Sequence, residues 1–220
     1  MEFIEQKIVL NEERGETYSK FYHGGILRTE IWMKDSKYHR EDDNPARIIY
    51  FENGAKHIEE WWKNDHLHRE VDLPAEIIYY ENGNKIQEKW YKNGKMHRDH
   101  DLPSYIRYYY NGNINTKGWL VNDEYFRVNN LPVQIDYYED GNIKEEDWYG
   151  ENKNDTPNKI YYYENGNKQK EIWYKSFILF LYDEYHREGD LPAQIIYNEN
   201  GSIKRKEWWN NGVMTDFIEC

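Results

Sequence analysis

The chain has 220 residues, with 41 acidic against 29 basic side chains and a net charge of −12. That balance opposes contact with phosphate backbones and anionic membrane surfaces. Aromatic residues make up 17% of the chain, 22 Tyr and 9 Trp among them, too many for a disordered polymer and suited to a thin β structure covered by large amphipathic rings. Cys220 is the single cysteine, no apolar run reaches the length of a spanning helix, and Met1-Glu2-Phe3-Ile4-Glu5 does not open like a signal peptide. A disulfide framework and a membrane span are excluded, and an intracellular protein is expected, with no cofactor and no metal.

Along the chain, seven glycines are each followed seven residues later by a tryptophan: Gly25/Trp32, Gly54/Trp61, Gly83/Trp90, Gly112/Trp119, Gly141/Trp148, Gly166/Trp173 and Gly201/Trp208. In the last six, a proline stands nine residues before the glycine: Pro45, Pro74, Pro103, Pro132, Pro157 and Pro192. One unit of about 29 residues is repeated, and repeats of that length stack into arrays. The expected organisation is an N-terminal cap over 1–15, a repeat array over 16–214 and a C-terminal tail over 215–220.

Within each unit the first element begins at the proline. Ala75, Ile77 and Tyr79, with Ala46/Ile48/Tyr50 and their later counterparts, alternate with freely varying residues such as Arg47, Glu76 and Gln134. Period two with β-branched and aromatic residues predicts a strand, with one face packed and the other open to solvent or a partner. The strand ends in Asn53-Gly54, Asn82-Gly83, Asn111-Gly112, Asp140-Gly141, Asn165-Gly166 or Asn200-Gly201, which predicts a type I′ hairpin turn with positive φ at both residues. A returning strand carries the tryptophan. It ends in a second turn at Asn64-Asp65, Asn93-Gly94, Asn122-Asp123 or Asn211-Gly212. The expected fold is all-β: an elongated single-layer array of about seven antiparallel β-hairpin repeats, twisted or curled.

A connection then leads to the next proline, and all length variation falls there. From Trp to Pro the spacing is 13 in the first four units, 9 from Trp148 to Pro157 and 19 from Trp173 to Pro192. The long connection contains the apolar run Phe177-Ile178-Leu179-Phe180-Leu181-Tyr182. It either fills the gap beside its shortened neighbour or forms a strand that docks a partner or a second copy.

The connections share a His-Arg-x-x-Asp motif: His39, Arg40 and Asp43; His68, Arg69 and Asp72; His97, Arg98 and Asp101; His186, Arg187 and Asp190. In the fourth unit His becomes Phe126 while Asp becomes Asn130. That joint change predicts a loop staple closed by a His–Asp hydrogen bond. Arg127 persists beside Asn130, so the arginines are expected to pair elsewhere, with Glu30, Glu59, Glu88, Glu146 and Glu171 as candidates. Stacked His and Asp could also ligate a metal, but recurrence in four units is what a structural staple predicts. His97-Arg98-Asp99 imitates a kinase catalytic loop without the Asn, Gly-rich loop or strand lysine that such a site requires. No enzyme is expected.

The string Trp90-Tyr91-Lys92-Asn93-Gly94-Lys95-Met96-His97-Arg98, with Pro103 and Ile106-Arg107-Tyr108-Tyr109-Tyr110-Asn111-Gly112 after it, resembles the MORN-type repeat. More narrowly it resembles a long variant found in repeat proteins of giant viruses of amoebae and of some phages and bacteria. The resemblance implies twisted arrays of antiparallel hairpins that serve as scaffolds or interaction modules, some of them lipid-associated, and it supplies no catalytic residues. Together these readings predict a non-catalytic protein–protein scaffold, of viral origin if the narrower resemblance holds, located in a host cytoplasm or virion, and able to self-associate. The alternative is a ligand-sequestering or nucleic-acid-binding surface that uses an exposed row of Tyr80, Tyr109, Tyr138 and Tyr163 for stacking.

Overall fold

A computed structural model describes residues 3–149, 155–175 and 184–220. They form β-strands and turns with one 3₁₀ turn, Val128–Asn130. The chain divides into two compact units, Met1–Phe126 and Arg127–Cys220.

In the first unit nine strands follow one another in an antiparallel ladder: Phe3–Asn11, Glu16–His23, Ile26–Lys34, Arg47–Tyr50, Lys56–Glu60, Glu76–Tyr79, Lys85–Lys89, Tyr105–Tyr108 and Ile114–Gly118. In the second unit seven do the same: Gln134–Tyr137, Ile143–Asp147, Lys159–Tyr162, Lys168–Ile172, Gln194–Tyr197, Ile203–Asn210 and Val213–Glu219. Strand order equals chain order, as expected when each hairpin leads to the next. Residues 3–11, assigned to a cap, are themselves a ladder strand, and most of the tail assigned to 215–220 belongs to the last one.

The first face is packed as its alternation requires. Ala46, Ala75 and Ala193 are fully buried; Ile48, Ile77, Ile160 and Val133 are nearly so; and Trp61, Trp90, Trp119 and Trp173 are each 6–7% exposed. Tyr79 is half-buried, with its ring against the Trp61, Ala75 and Ile77 cluster. The opposite face is not open as expected. Glu60, Gln87 and Asp147 are buried there, because cross-strand charges close over it: Arg47 to Glu60 at 3.0 Å, Lys89 to Glu76 at 2.9 Å, and Lys159 to Asp147 at 2.8 Å. Trp62 caps the first of these by donating Nε1–H to Glu60 at 3.0 Å. Paired charges are the form in which a variable face can still be buried.

The two turn types divide differently from the prediction. At Asn53-Gly54 only the glycine has positive φ, at 82°. Gly54 N–H donates to Phe51 C=O at 3.1 Å, and Phe51 N–H to Ala55 C=O at 2.9 Å. This is a type I turn closed by a glycine bulge. Asn is selected at position 53 because its Oδ1 accepts the Ala55 N–H at 2.9 Å; Asn82, Asn111, Asp140, Asn165 and Asn200 do the same. The type I′ geometry occurs at the second turns, where Asn64 and Asp65, Asn93 and Gly94, Asn122 and Asp123, and Asn211 and Gly212 all have positive φ. The first three of these turns close short hairpins at the Trp end of the ladder, such as Tyr91–Lys92 with Lys95–Met96, and Asn211-Gly212 joins the last two ladder strands.

Candidate functional site

The connections lie at that same end of the ladder, and the shared motif meets there. Each motif arginine stacks on the tryptophan of its own unit, eight residues earlier for Arg40 on Trp32, Arg69 on Trp61 and Arg98 on Trp90 and fourteen earlier for Arg187 on Trp173, with the guanidinium carbon 3.7–3.9 Å from the ring centre. Stacking of a planar cation on indole leaves the guanidinium edges free to bond in the ring plane. One edge donates Nη1–H to the carbonyl of the coming proline, Pro45, Pro74, Pro103 or Pro192, at 3.1–3.2 Å. Arg127 does this with Pro132 at 3.0 Å.

The other edge reaches the preceding connection. Arg69 donates Nε–H and Nη2–H to the two carboxylate oxygens of Asp43 at 2.7 and 2.9 Å. Arg98 holds Asp72 in the same way at 2.8 and 2.9 Å, and Arg187 holds Asp155 at 2.8 and 2.6 Å. The hydrogen bond from Arg69 holds the Asp43 carboxyl below its ordinary range, and Arg187 does so for Asp155. The backbone of the same aspartate is also engaged: Trp61 Nε1–H donates to Asp43 C=O at 3.0 Å, Trp90 to Asp72 at 3.1 Å, Trp119 to Asp101 at 3.0 Å and Trp173 to Asp155 at 3.1 Å.

The expected His–Asp closure is therefore replaced. His68 Nε2 bonds Glu70 at 2.9 Å, two residues on, and not Asp72; His39 bonds Glu41, His97 bonds Asp99 and His186 bonds Glu188. The hydrogen bond from His68 lowers the pKa of Glu70, and those from His39 and His97 do so for Glu41 and Asp99. The other nitrogen, Nδ1 of His68, accepts the backbone N–H of Asn93 in the next repeat at 3.1 Å, and Nδ1 of His39 accepts that of Asn64 at 3.4 Å. His39 and His68 thus each span from their own loop to the following second turn, whereas Nδ1 of His97 and of His186 is buried without a hydrogen-bond partner. Nor do the arginines pair with the glutamates before each Trp. Those carboxylates accept tyrosine hydroxyls from the next hairpin: Tyr79 to Glu59 at 2.7 Å, Tyr162 to Glu146 at 2.6 Å, and likewise Tyr50 to Glu30, Tyr108 to Glu88 and Tyr197 to Glu171.

The Asp43–Arg69 geometry also accounts for Asn130. The connection that follows it, residues 149–156, is the shortened one and contains no arginine. An aspartate at 130 would lack its clasp. Asn130 instead donates Nδ2–H to Thr156 Oγ1 at 2.8 Å, and its carbonyl still accepts Trp148 Nε1–H at 3.0 Å. The sequence carried this signal as an Asp-to-Arg separation of 26 at Asp43–Arg69 and Asp72–Arg98, stretched to 32 at Asp155–Arg187 by the long connection, and as an aspartate lost where the next arginine is lost; the coincident Phe126 obscured it.

The tyrosine row is half-buried and not free. Tyr80 donates its hydroxyl to Tyr108 C=O at 3.3 Å, Tyr138 to Tyr162 C=O at 2.7 Å and Tyr163 to Tyr197 C=O at 2.9 Å; Tyr109 is engaged as well. The run 177–182 lies outside the described residues. Among the described residues, no group of three His, Cys, Asp or Glu side chains could hold a metal ion, and no helix is long and apolar enough to cross a membrane. Beside exposed carboxylates such as Glu70, Asp99 and Glu188, the connections leave apolar side chains in water: Val71 is 88% exposed, and Leu73, Leu102, Leu131 and Leu191, each just before a proline, are 38–45% exposed. No family model matches the chain, and neither a curated protein nor a solved structure matches it.

Proposed function

We propose that the chain is a non-catalytic repeat scaffold that binds a protein along the rim formed by its connections. The observation that carries this reading is the fate of the repeated polar side chains. Most of the repeated His, Arg, Trp, Tyr and Glu side chains are bonded within and between neighbouring repeats, whereas four of the six connections hold a leucine partly in water, Leu73, Leu102, Leu131 and Leu191. Regularly placed exposed apolar side chains on an ordered rim are a feature of binding surfaces. The resemblance to MORN-type repeats points the same way.

The test uses Leu73→Asp and Leu102→Asp, singly and together. A binder captured from a host extract is purified and titrated against the native chain and the variants. The expected result is at least a tenfold loss of affinity in the double variant with an unchanged melting temperature. Undiminished binding of that purified protein by the double variant would overturn the rim as the docking surface.

A further inference from the structure

The first repeat holds half of the interior clasp and lacks the other half. Trp32 and Arg40 are stacked at 3.7 Å, and Arg40 Nη1 donates to Pro45 C=O at 3.1 Å, as in the units of Arg69, Arg98 and Arg187. Eighteen residues before Trp32, where Asp43 stands relative to Trp61, the chain has Arg14. Among the described residues no carboxylate lies within ion-pair distance of Arg40, and Trp32 Nε1 meets no acceptor. The guanidinium edge that clasps an aspartate in three later repeats instead faces a pocket bounded by Leu10, Thr17, Trp32, Lys34, His39 and Arg40. Glu16, Glu41 and Asp42 also border the pocket. Glu41 is already held by His39 at 2.9 Å and Lys34 at 3.5 Å, and Glu16 makes no ion pair.

The last repeat holds the opposite half. Asp190 accepts Trp208 Nε1–H on its carbonyl at 3.2 Å, as the interior aspartates do. The strand Val213–Glu219 follows Trp208 where the other units have a connection, and the residue eight after Trp208 is Asp216 instead of an arginine. The Asp190 side chain is exposed and has no partner among the described residues.

We propose that the Trp32–Arg40 pocket is a carboxylate-binding site whose occupant is Asp190 of a second copy of the chain, so that copies associate head to tail. The pairing required, an arginine fork on a carboxylate, is already built three times within the chain, at Asp43–Arg69, Asp72–Arg98 and Asp155–Arg187. Each end carries the charge that the other lacks. The contact is heterologous, so each copy uses both ends and association continues beyond two chains. The high negative charge of the chain opposes it, which places the interaction in the weak range and makes it sensitive to salt. The inference goes beyond the partner-binding reading and does not depend on it.

Sedimentation of the full-length chain at several concentrations and low salt tests the proposal. The weight-average mass should rise above the monomer value of 27.1 kDa with concentration. Arg40→Gln and Asp190→Asn, each shown by near-UV dichroism to be folded, should each lower the association constant at least tenfold. Mixing the two variants leaves one intact head and one intact tail, so the mixture should form dimers and stop there. If Arg40→Gln does not fold, Arg40→Lys keeps the stacked stem and the charge but loses the two-pronged donor, and should still weaken association. A native chain that stays monomeric at all concentrations, variants that associate as the native chain does, or a mixture that forms no dimer would each overturn the proposal.

Discussion

Arg98 clasps Asp72 across one repeat, with both carboxylate oxygens within 2.9 Å, while its guanidinium lies on Trp90 and Trp90 donates to the carbonyl of the same aspartate. One aspartate is thus held by side chain and backbone, and both partners come from later in the chain. Charge-assisted two-pronged bonds are the stronger class of hydrogen bond, and the stacked ring shields this one from water on one side.

Removing the clasp should be costly. Arg69→Ala deletes the pair with Asp43 and the cover over Trp61, and about 2–3 kcal/mol of unfolding free energy should be lost. Arg69→Lys should lose roughly half of that, since a lysine offers a point charge and no fork. Chemical denaturation of Arg69→Ala, Asp43→Asn and the double variant gives the coupling directly; values that simply add would mean that the two residues do not stabilise each other.

Asn130 should resist improvement. Asn130→Asp restores the motif residue but meets no arginine from the connection over 149–156, so its stability should stay within about 0.5 kcal/mol of native or fall. Asp72→Asn should cost about 1–2 kcal/mol. A gain of more than about 1 kcal/mol in Asn130→Asp would contradict the account of why that unit lost its aspartate.

Val71 occupies a left-handed conformation at φ 60°, where the equivalent residue of the last full connection is Gly189 at φ 72°. A β-branched residue there is strained by about 1–2 kcal/mol. Because Val71 is almost wholly in water, its side chain contributes little in return. Val71→Gly should therefore raise the denaturation midpoint by an amount equivalent to about 1 kcal/mol. A lowered midpoint would show that the loop does not hold that conformation in solution.

The tyrosine–glutamate ladder sets an alkaline limit. Burial, then the bond to a carboxylate, raises the pKa of Tyr79 and Tyr108 above the ordinary 10.0, and burial pushes Tyr91 up to about 12. In each case the folded value exceeds the unfolded one. Their stabilisation is complete below pH 10 and is lost as pH rises through the folded values, because the unfolded chain releases the proton first. Phenolate absorbance near 295 nm should therefore rise in two stages, the second coinciding with loss of β dichroism. A single stage near pH 10 in a chain that remains folded would show that these hydroxyls are not engaged.

Much of the fold could be read before the structure because it rests on local patterns. Alternation at Ala75, Ile77 and Tyr79 fixes a face, and the spacing of proline, glycine and tryptophan fixes the hairpin. The partners of the His-Arg-x-x-Asp motif were less legible. They are decided between repeats, 26 residues apart, whereas the joint change at Phe126 and Asn130 suggested a partner four residues away. The turn types differ from the expectation for a related reason: Asn-Gly encodes a type I′ turn only when the flanking strands are in the matching register, and an Asn Oδ1 that can accept the N–H two residues on stabilises a type I turn with a bulge equally well. The buried charges of the second face could not be inferred from single positions, since Glu60 becomes tolerable only opposite Arg47.

Because Asp43 is answered by Arg69 and never the reverse, the two ends of the ladder are unequal. Deleting a repeat from the C-terminal end strands an aspartate of which about half already lies in water; deleting one from the N-terminal end strands an arginine that is only 13% exposed. Desolvated charge is the costlier remainder. A chain emerging from the ribosome therefore waits in the less costly of the two unfinished states, with a wet carboxylate at its growing end and each of Arg69, Arg98 and Arg187 matched as it arrives. Shortened forms that keep the N-terminus should fold where their mirror-image truncations fail.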